Sequence, residues 1–224
     1  MKIGYGCLVN DFKVLGNTLL RSPIGGELRI AVDAKSASEG LNKLIKDSDA
    51  DVLVLIHQDV FLPDGWEDRL ISIIEKLDDD WGLLGVWGAR IENGGFQSIG
   101  NIADTRLNNP HVWYGELPTD NVETLDEMCL VINMKSGFLF DEKMIGWDLY
   151  GAYACLKMKE IGRKVFVVDN LAIHNTRRSL DWKPNMVYLS IFEWLKSRFP
   201  DNIVLSTVYH KNKEERINPV FYGN

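Results

Sequence analysis

The sequence predicts an α/β fold, a doubly wound and mainly parallel sheet with helices on both faces. Two observations predict it. Short, near-continuous apolar runs at residues 3–9, 28–32 and 51–57 have the pattern of strands buried on both faces. Between and after them, apolar residues recur at helical spacing, so strand and helix alternate, and such an order implies right-handed crossovers. In a sheet of that kind ligands sit beyond the carboxyl ends of the strands.

The elements follow in order. After the first two strands, Leu41, Leu44 and Ile45 mark a helix with Ser36 or Ser38 as its N-cap. The third strand, 51–57, is followed by a helix marked by Trp66, Leu70, Ile73, Ile74 and Leu77 behind Asp64. A fourth apolar run, 81–87, follows the acidic turn Asp78-Asp79-Asp80. This topology places Asn10, Asp33 and His57-Gln58-Asp59 at one rim of the sheet. From 88 to 126 periodicity weakens into sequence rich in Gly, Asn and Pro, where Glu92-Asn93-Gly94-Gly95 reads as a hairpin turn. Regularity returns with an apolar segment at 128–132, a helix at 148–161 closed by Gly162, a strand at 164–168 and an amphipathic helix at 186–198. The charged stretch 211–216 reads as solvated surface.

Composition narrows the possibilities. A chain of 224 residues suits one globular domain, and 46% apolar residues with seven Trp supply enough burial to order it. The net charge of −7 argues against nucleic acid, whose binding depends on clustered Lys and Arg. Cys7, Cys129 and Cys155 are far apart with no C-x-x-C pair, which fits neither a disulfide framework nor a structural zinc site, so packed, reduced thiols are expected. The amino-terminal apolar run ends at Asn10 and Asp11, too short for a signal peptide, and no run nears the roughly 20 residues of a membrane span. The expected location is therefore the cytosol, with peripheral membrane contact still open.

The most informative segment is Leu55-Ile-His-Gln-Asp-Val-Phe-Leu-Pro-Asp-Gly-Trp66. A buried strand ending in polar residues carries Asp59 to the rim, where an acid can hold a divalent cation against phosphates. In the plainer reading Asp59 only caps a turn. With Asp33 at a strand end and Asn42 in the next helix, this segment resembles family-2 type inverting glycosyltransferases, and the His-Gln-Asp-Val form is similar to a subgroup of glycosyltransferase-like proteins. Ile56 and Gln58 stand where that family usually carries two further carboxylates.

The resemblance implies the GT-A fold, with residues 1–100 as the nucleotide-sugar-binding half, 101–180 as the acceptor and catalytic half, and 181–224 as a C-terminal helix and tail. It implies transfer of a sugar from a nucleoside-diphosphate sugar, UDP-linked by preference, to a hydroxyl of a glycan or other acceptor. It also implies Mn²⁺ or Mg²⁺ held by Asp59 and His174. Asn10, Asp33, Asn42, Gln58 and Asp59 would meet the donor. Arg177 and Arg178 would reach its pyrophosphate, since guanidinium forks match phosphate oxygens, although two arginines on a plain exposed loop fit the sequence equally. For the base that takes the acceptor's proton, Asp148 is the first candidate, with Asp141 and Glu142 behind it. Asp148 also reads as a helix N-cap. Tyr153 stands where the subgroup often has an Asp. Trp113-Tyr114 and Trp147 are candidates to stack on a sugar ring, or are buried aromatics. A non-catalytic nucleotide-sugar or glycan-binding protein with a degenerate site is the main alternative, and a sugar-nucleotide nucleotidyltransferase a lesser one.

Overall fold

The computed structural model describes residues 1–106, 110–176 and 183–207, together with the backbone of a short strand pair at 210–211 and 217–218. In chain order the elements are β1 (Ile3–Leu8), α1 (Phe12–Asn17), β2 (Glu27–Ala31), α2 (Ala37–Lys46), β3 (Val52–Ile56), β4 (Val60–Phe61), α3 (Trp66–Ile74), β5 (Trp81–Gly85), β6 (Trp87–Glu92), β7 (Gly95–Asp104), β8 (His111–Tyr114), β9 (Thr124–Leu125), β10 (Cys129–Asn133), α4 (Tyr150–Glu160), β11 (Lys164–Val167), β12 (Ala172–His174) and α5 (Met186–Arg198).

The main sheet runs β11-β5-β10-β3-β1-β2. β10 is antiparallel to both its neighbours, and the other pairings are parallel. All five residues of β3 are buried because both faces of the sheet are covered. Val52, Val54 and Ile56 join Leu15, Trp66 and Leu70, from α1 and α3, on one face. Leu53 and Leu55 join Leu41, Leu156 and Ile191, from α2, α4 and α5, on the other. That double burial is why the strand is written as an unbroken apolar run.

A second sheet, β4-β12-β7-β6-β9 with β8 on the edge of β7, grows from the aperiodic stretch after residue 86. The apolar run 81–87 serves both sheets, since β5 belongs to the first and Trp87 opens β6 in the second. The hairpin between β6 and β7 closes through Asn93 and Gly94, both at positive φ (51° and 77°), with Glu92 paired to Gly95. Two central residues at positive φ match the right-handed twist of a tight hairpin.

The caps differ in part from the sequence reading. Ser36 does cap α2, accepting from the Glu39 amide, while the Glu39 carboxylate accepts from the Lys35 amide. α3 is entered through Gly65 at φ 71° rather than through an Asp64 cap. α4 is entered through Leu149 at φ 66°, so Asp148 is not its N-cap. Gly162, at φ 74°, ends α4 as its position requires. The three cysteines are buried free thiols, and burial pushes each up to about 12. No helix among the described residues is long and apolar enough to cross a membrane.

Candidate functional site

The site forms where the two sheets meet. β3 ends at Ile56, and the His57 amide then bonds the Met128 carbonyl at 3.0 Å, just ahead of β10. Three residues later β4 pairs antiparallel with β12, setting Val60 opposite His174, and the Asp59 carbonyl accepts from the Asn175 amide at 2.8 Å. This pairing brings Asp59 beside His174. The Asp59 carboxylate lies 3.5 Å from His174 Nε2 and 4.0 Å from His57 Nδ1. One ligand atom from each of His57, Asp59 and His174 falls within 4.8 Å of the others, a spacing that suits a shared metal ion.

Each imidazole is oriented from behind. The Tyr150 hydroxyl donates to the Glu127 carbonyl at 3.3 Å and lies 2.6 Å from His57 Nε2. With its proton directed to Glu127, it accepts from Nε2–H, so Nδ1 is the nitrogen that faces Asp59. His174 is placed between two carboxylates, with Nδ1 3.6 Å from Asp104. Asp104 is fully buried and gripped by a fork from Arg106, with Nε–Oδ1 at 2.9 Å and Nη2–Oδ2 at 2.5 Å. Carboxylates behind ligand histidines fix the tautomer in this way in metal sites.

The charges follow from these contacts. Burial alone would lower the His174 pKa, but the Asp104 and Asp59 carboxylates overcome it and raise the imidazole to about 9. Burial opposes ionisation of Asp59, yet His174 and then His57 hold its carboxyl below the usual range. Asp104 is held far below that range, where His174 and Arg106 outweigh its burial.

On one side of the cluster a cleft of about 390 Å³ opens beyond the carboxyl ends of β1, β2 and β3. Asn10, Asp33, Gln58, Asp59 and Trp147 line it, so the rim expected from topology is present. Asp33 has φ 56°, a left-handed conformation that Asp tolerates better than most residues, and it turns the chain at the end of β2. The Gln58 side-chain oxygen accepts from the amides of Asn10 and Asp11 at 3.1 and 3.0 Å, and its amide donates to the Asn10 side chain. Gln58 thus fastens the loop after β1 to the end of β3.

On the other side is a smaller cavity of about 90 Å³, lined by Asp126, Glu127, Asp148, His57 and His174 with Arg106, Thr176, Tyr188 and Thr207. Asp148 therefore faces a pocket. The Asp126 carboxylate is engaged by the Met128 amide at 3.0 Å and the Thr207 hydroxyl at 2.7 Å. Gly151 is needed where α4 starts, because a Cβ there would lie 2.4 Å from the Leu125 carbonyl oxygen. The close approach brings the Gly151 amide to the Glu127 carboxylate, at 3.3 Å.

Several candidates are not brought to the site. Asn42 is buried, and both ends of its amide are taken by the Phe140 backbone at 2.9 and 2.8 Å, so it fastens the 138–144 segment and does not reach the cleft. Asp141 accepts from the Lys143 amide, and Glu142 is exposed 3.8 Å from Lys46; neither lines either cavity. Tyr153 is buried among Phe138, Phe140, Trp194 and Phe199. Arg177 and Arg178 lie outside the described residues. Trp147 is half exposed at the cleft, and Trp113 is also exposed on β8, so neither is a core aromatic. Sequence reasoning missed Glu127, Asp104, Arg106 and Tyr150 and did not single out His57 as a candidate ligand. The i, i+2 spacing of His57 and Asp59 was the one signal available for the last.

Comparison with known proteins follows the geometry. A family model described as "Glycosyltransferase like family" matches residues 19–185. A protein of Fuscovulum blasticum called "ATP synthase subunits region ORF 6" is 27% identical over 158 residues, 68% of this chain and 62% of that protein. Among solved structures, GalNAc-T7 with UDP, GalNAc and Mn²⁺ superposes with a TM-score of 0.59 at 10% identity, covering 89% of this chain and 50% of that one. The Staphylococcus aureus TarS fragment 1-349 with UDP-GlcNAc gives 0.62 at 9% identity, over 90% and 67%. The mannosyltransferase PcManGT of Pyrobaculum calidifontis with GDP-Man and Mn²⁺ gives 0.52 at 9% identity, over 91% and 66%. The chain thus spans half of the first of these transferases and less than two thirds of the F. blasticum protein. At such identities these likenesses speak for the fold alone, which is GT-A. With the family model matched across most of its length, the chain belongs to the glycosyltransferase-like family.

Proposed function

We propose that this glycosyltransferase moves a hexose from a UDP-sugar to an acceptor hydroxyl with inversion, using Mn²⁺ held by His57, Asp59 and His174. The observation that carries the reading is the convergence of those three side chains at the seam between the two cavities. The donor set fits the ion. Two imidazoles and one carboxylate are more nitrogen-rich than Mg²⁺ prefers and suit Mn²⁺ better. His57 supplies the donor that Ile56 and Gln58 do not. When bound, the cation would supply positive charge against the diphosphate as it departs.

The chain's own residues do the rest. Asn10 and Asp33 sit where the nucleoside would lie, and the Asp33 carboxylate is suited to accept from the imide N–H of uracil. In the smaller cavity Asp148 takes the proton of the acceptor hydroxyl as its oxygen bonds the anomeric carbon and the bond from that carbon to the diphosphate oxygen breaks. Asp148 is not the N-cap of α4, and it lines the smaller cavity beside His57 and His174.

Calorimetry of UDP against protein loaded with Mn²⁺ or stripped by EDTA tests the reading, alongside UDP-sugar turnover. We expect binding to weaken without metal, and Asp59→Ala to lose both metal dependence and turnover. Equal UDP binding in EDTA with normal turnover by Asp59→Ala would overturn it. A binding protein without catalysis would instead show metal-dependent UDP affinity and no donor hydrolysis or transfer.

A further inference from the structure

We propose that Glu127 reads the transferred sugar, its carboxylate accepting a hydrogen bond from a ring hydroxyl of the donor. The proposal rests on the nucleotide-sugar reading above. Among the described residues, His57 and Glu127 are the two that line both cavities. If the nucleoside fills the larger cleft and the acceptor enters the smaller cavity, the sugar must lie across the seam these two residues share. His57 is turned to Asp59 on one nitrogen and to Tyr150 on the other, which leaves Glu127 as the carboxylate beside the sugar.

Its position is fixed from three directions. The Glu127 carbonyl accepts from the Tyr150 hydroxyl, its Oε1 accepts from the Gly151 amide at 3.3 Å, and the chain continues directly into β10. A Cβ on Gly151 would come within 3.0 Å of Glu127 Cγ, so the helix start and this side chain pack closely. A carboxylate has four lone-pair sites, so it can accept from the Gly151 amide and from a sugar hydroxyl together. Sugar hydroxyls are the donors that match it. Because Glu127 flanks both cavities while Asp148 lines the smaller alone, the two carboxylates divide the work, one holding the sugar and the other taking the acceptor's proton.

The test is calorimetry on the Mn²⁺-loaded full chain with UDP, UDP-glucose, UDP-galactose and UDP-N-acetylglucosamine. In the wild type at least one UDP-sugar should bind tighter than UDP. Glu127→Ala should reduce that gain by about 10- to 100-fold, the worth of a hydrogen bond to a charged group, and Glu127→Gln should reduce it less. UDP alone should bind all three proteins within about twofold, which also shows that the variants are folded. A wild type with no gain from any of the sugars, or variants that keep the gain, would overturn the proposal. So would Glu127→Gln that keeps the gain and loses turnover, since the residue would then be the base. UDP failing to bind the wild type would sink the nucleotide-sugar reading itself, and this proposal with it.

Discussion

The two cavities that meet at His57 are built in different ways. The larger cleft is walled by the ends of β1, β2 and β3, three adjacent parallel strands within the first 60 residues. The smaller is assembled from Arg106, Thr124 to Glu127, Asp148 to Ala152, His174, Tyr188 and Thr207, drawn from across 100 residues, from the second sheet, from the starts of α4 and α5 and from the loops between. The cleft therefore inherits the rigidity of the sheet, while the smaller cavity depends on how separate segments are fastened. A nucleotide carrier that is common to many reactions suits the first construction. An acceptor that differs from one transferase to the next suits the second, because its walls can change without disturbing the sheet.

This division makes the substitutions separable. The largest expected effect is Asp148→Asn, which keeps shape and removes the proposed base, and turnover should fall by about 10²- to 10⁴-fold while UDP affinity stays within about twofold. Across the seam, Asp33→Ala should do the reverse, weakening UDP by up to about tenfold and leaving turnover at saturating donor nearly unchanged. Normal turnover by Asp148→Asn would put the base elsewhere. A parallel loss of UDP affinity would mean the two cavities are not independent.

The two histidines offer a finer comparison. His174 is backed by a buried carboxylate and His57 by a neutral hydroxyl. Asp104→Asn and Tyr150→Phe should each weaken Mn²⁺ by about 10- to 100-fold, with the larger loss for Asp104, since both orient an imidazole of the proposed metal site and one also carries charge. Mn²⁺ titration followed by electron paramagnetic resonance measures this directly. Unchanged Mn²⁺ affinity in both variants would mean that the imidazoles need no support.

Much of the frame was legible because local pattern and tertiary role coincide there. β3 is apolar throughout because it is buried on both faces, and α5 matches its expected limits, with Asn185 capping it through the Tyr188 amide. The direction of β10 was not legible, because a buried apolar run reads alike in either direction. Nor was the second sheet, whose strands β6 and β7 carry Gly and Ser where alternation would show. Asp59 stood out as an acid after a buried strand. Asp104 and Glu127 did not, since each takes its meaning from partners distant in sequence, at His174 and at Tyr150.

Asn42 shows the opposite error, a polar residue read toward the ligand that in fact holds two chain segments together. Its amide satisfies a buried N–H and a buried C=O of Phe140, so Asn42→Ala leaves both without that partner. A loss of about 1–3 kcal/mol in stability is expected, with UDP affinity unchanged in the folded fraction. Urea denaturation measures the first and calorimetry the second. Weaker UDP binding with intact stability would return Asn42 to the donor cleft.

The smallest expected effect is that of pH on the stripped protein. With no metal bound, His174 is raised from its ordinary value to about 9 because Asp104 and Asp59 outweigh its burial. A histidine raised on folding stabilises the native state fully below its unfolded value of about 6.5, and that contribution is lost as pH rises through the folded value. Asp59 and Asp104 are lowered instead, so their contributions change in acid and stay constant across this window. The EDTA-treated protein should therefore melt at falling temperature from about pH 6.5 to 9, and His174→Gln should flatten that part of the curve. Mn²⁺ needs the neutral imidazole, so proton and cation compete for the same nitrogen, and the rise in melting temperature on adding Mn²⁺ should grow with pH over the same range. A stripped protein with no slope there, or a Mn²⁺ effect that shrinks as pH rises, would show that His174 is neutral before the cation arrives and that Asp104 acts on its orientation alone.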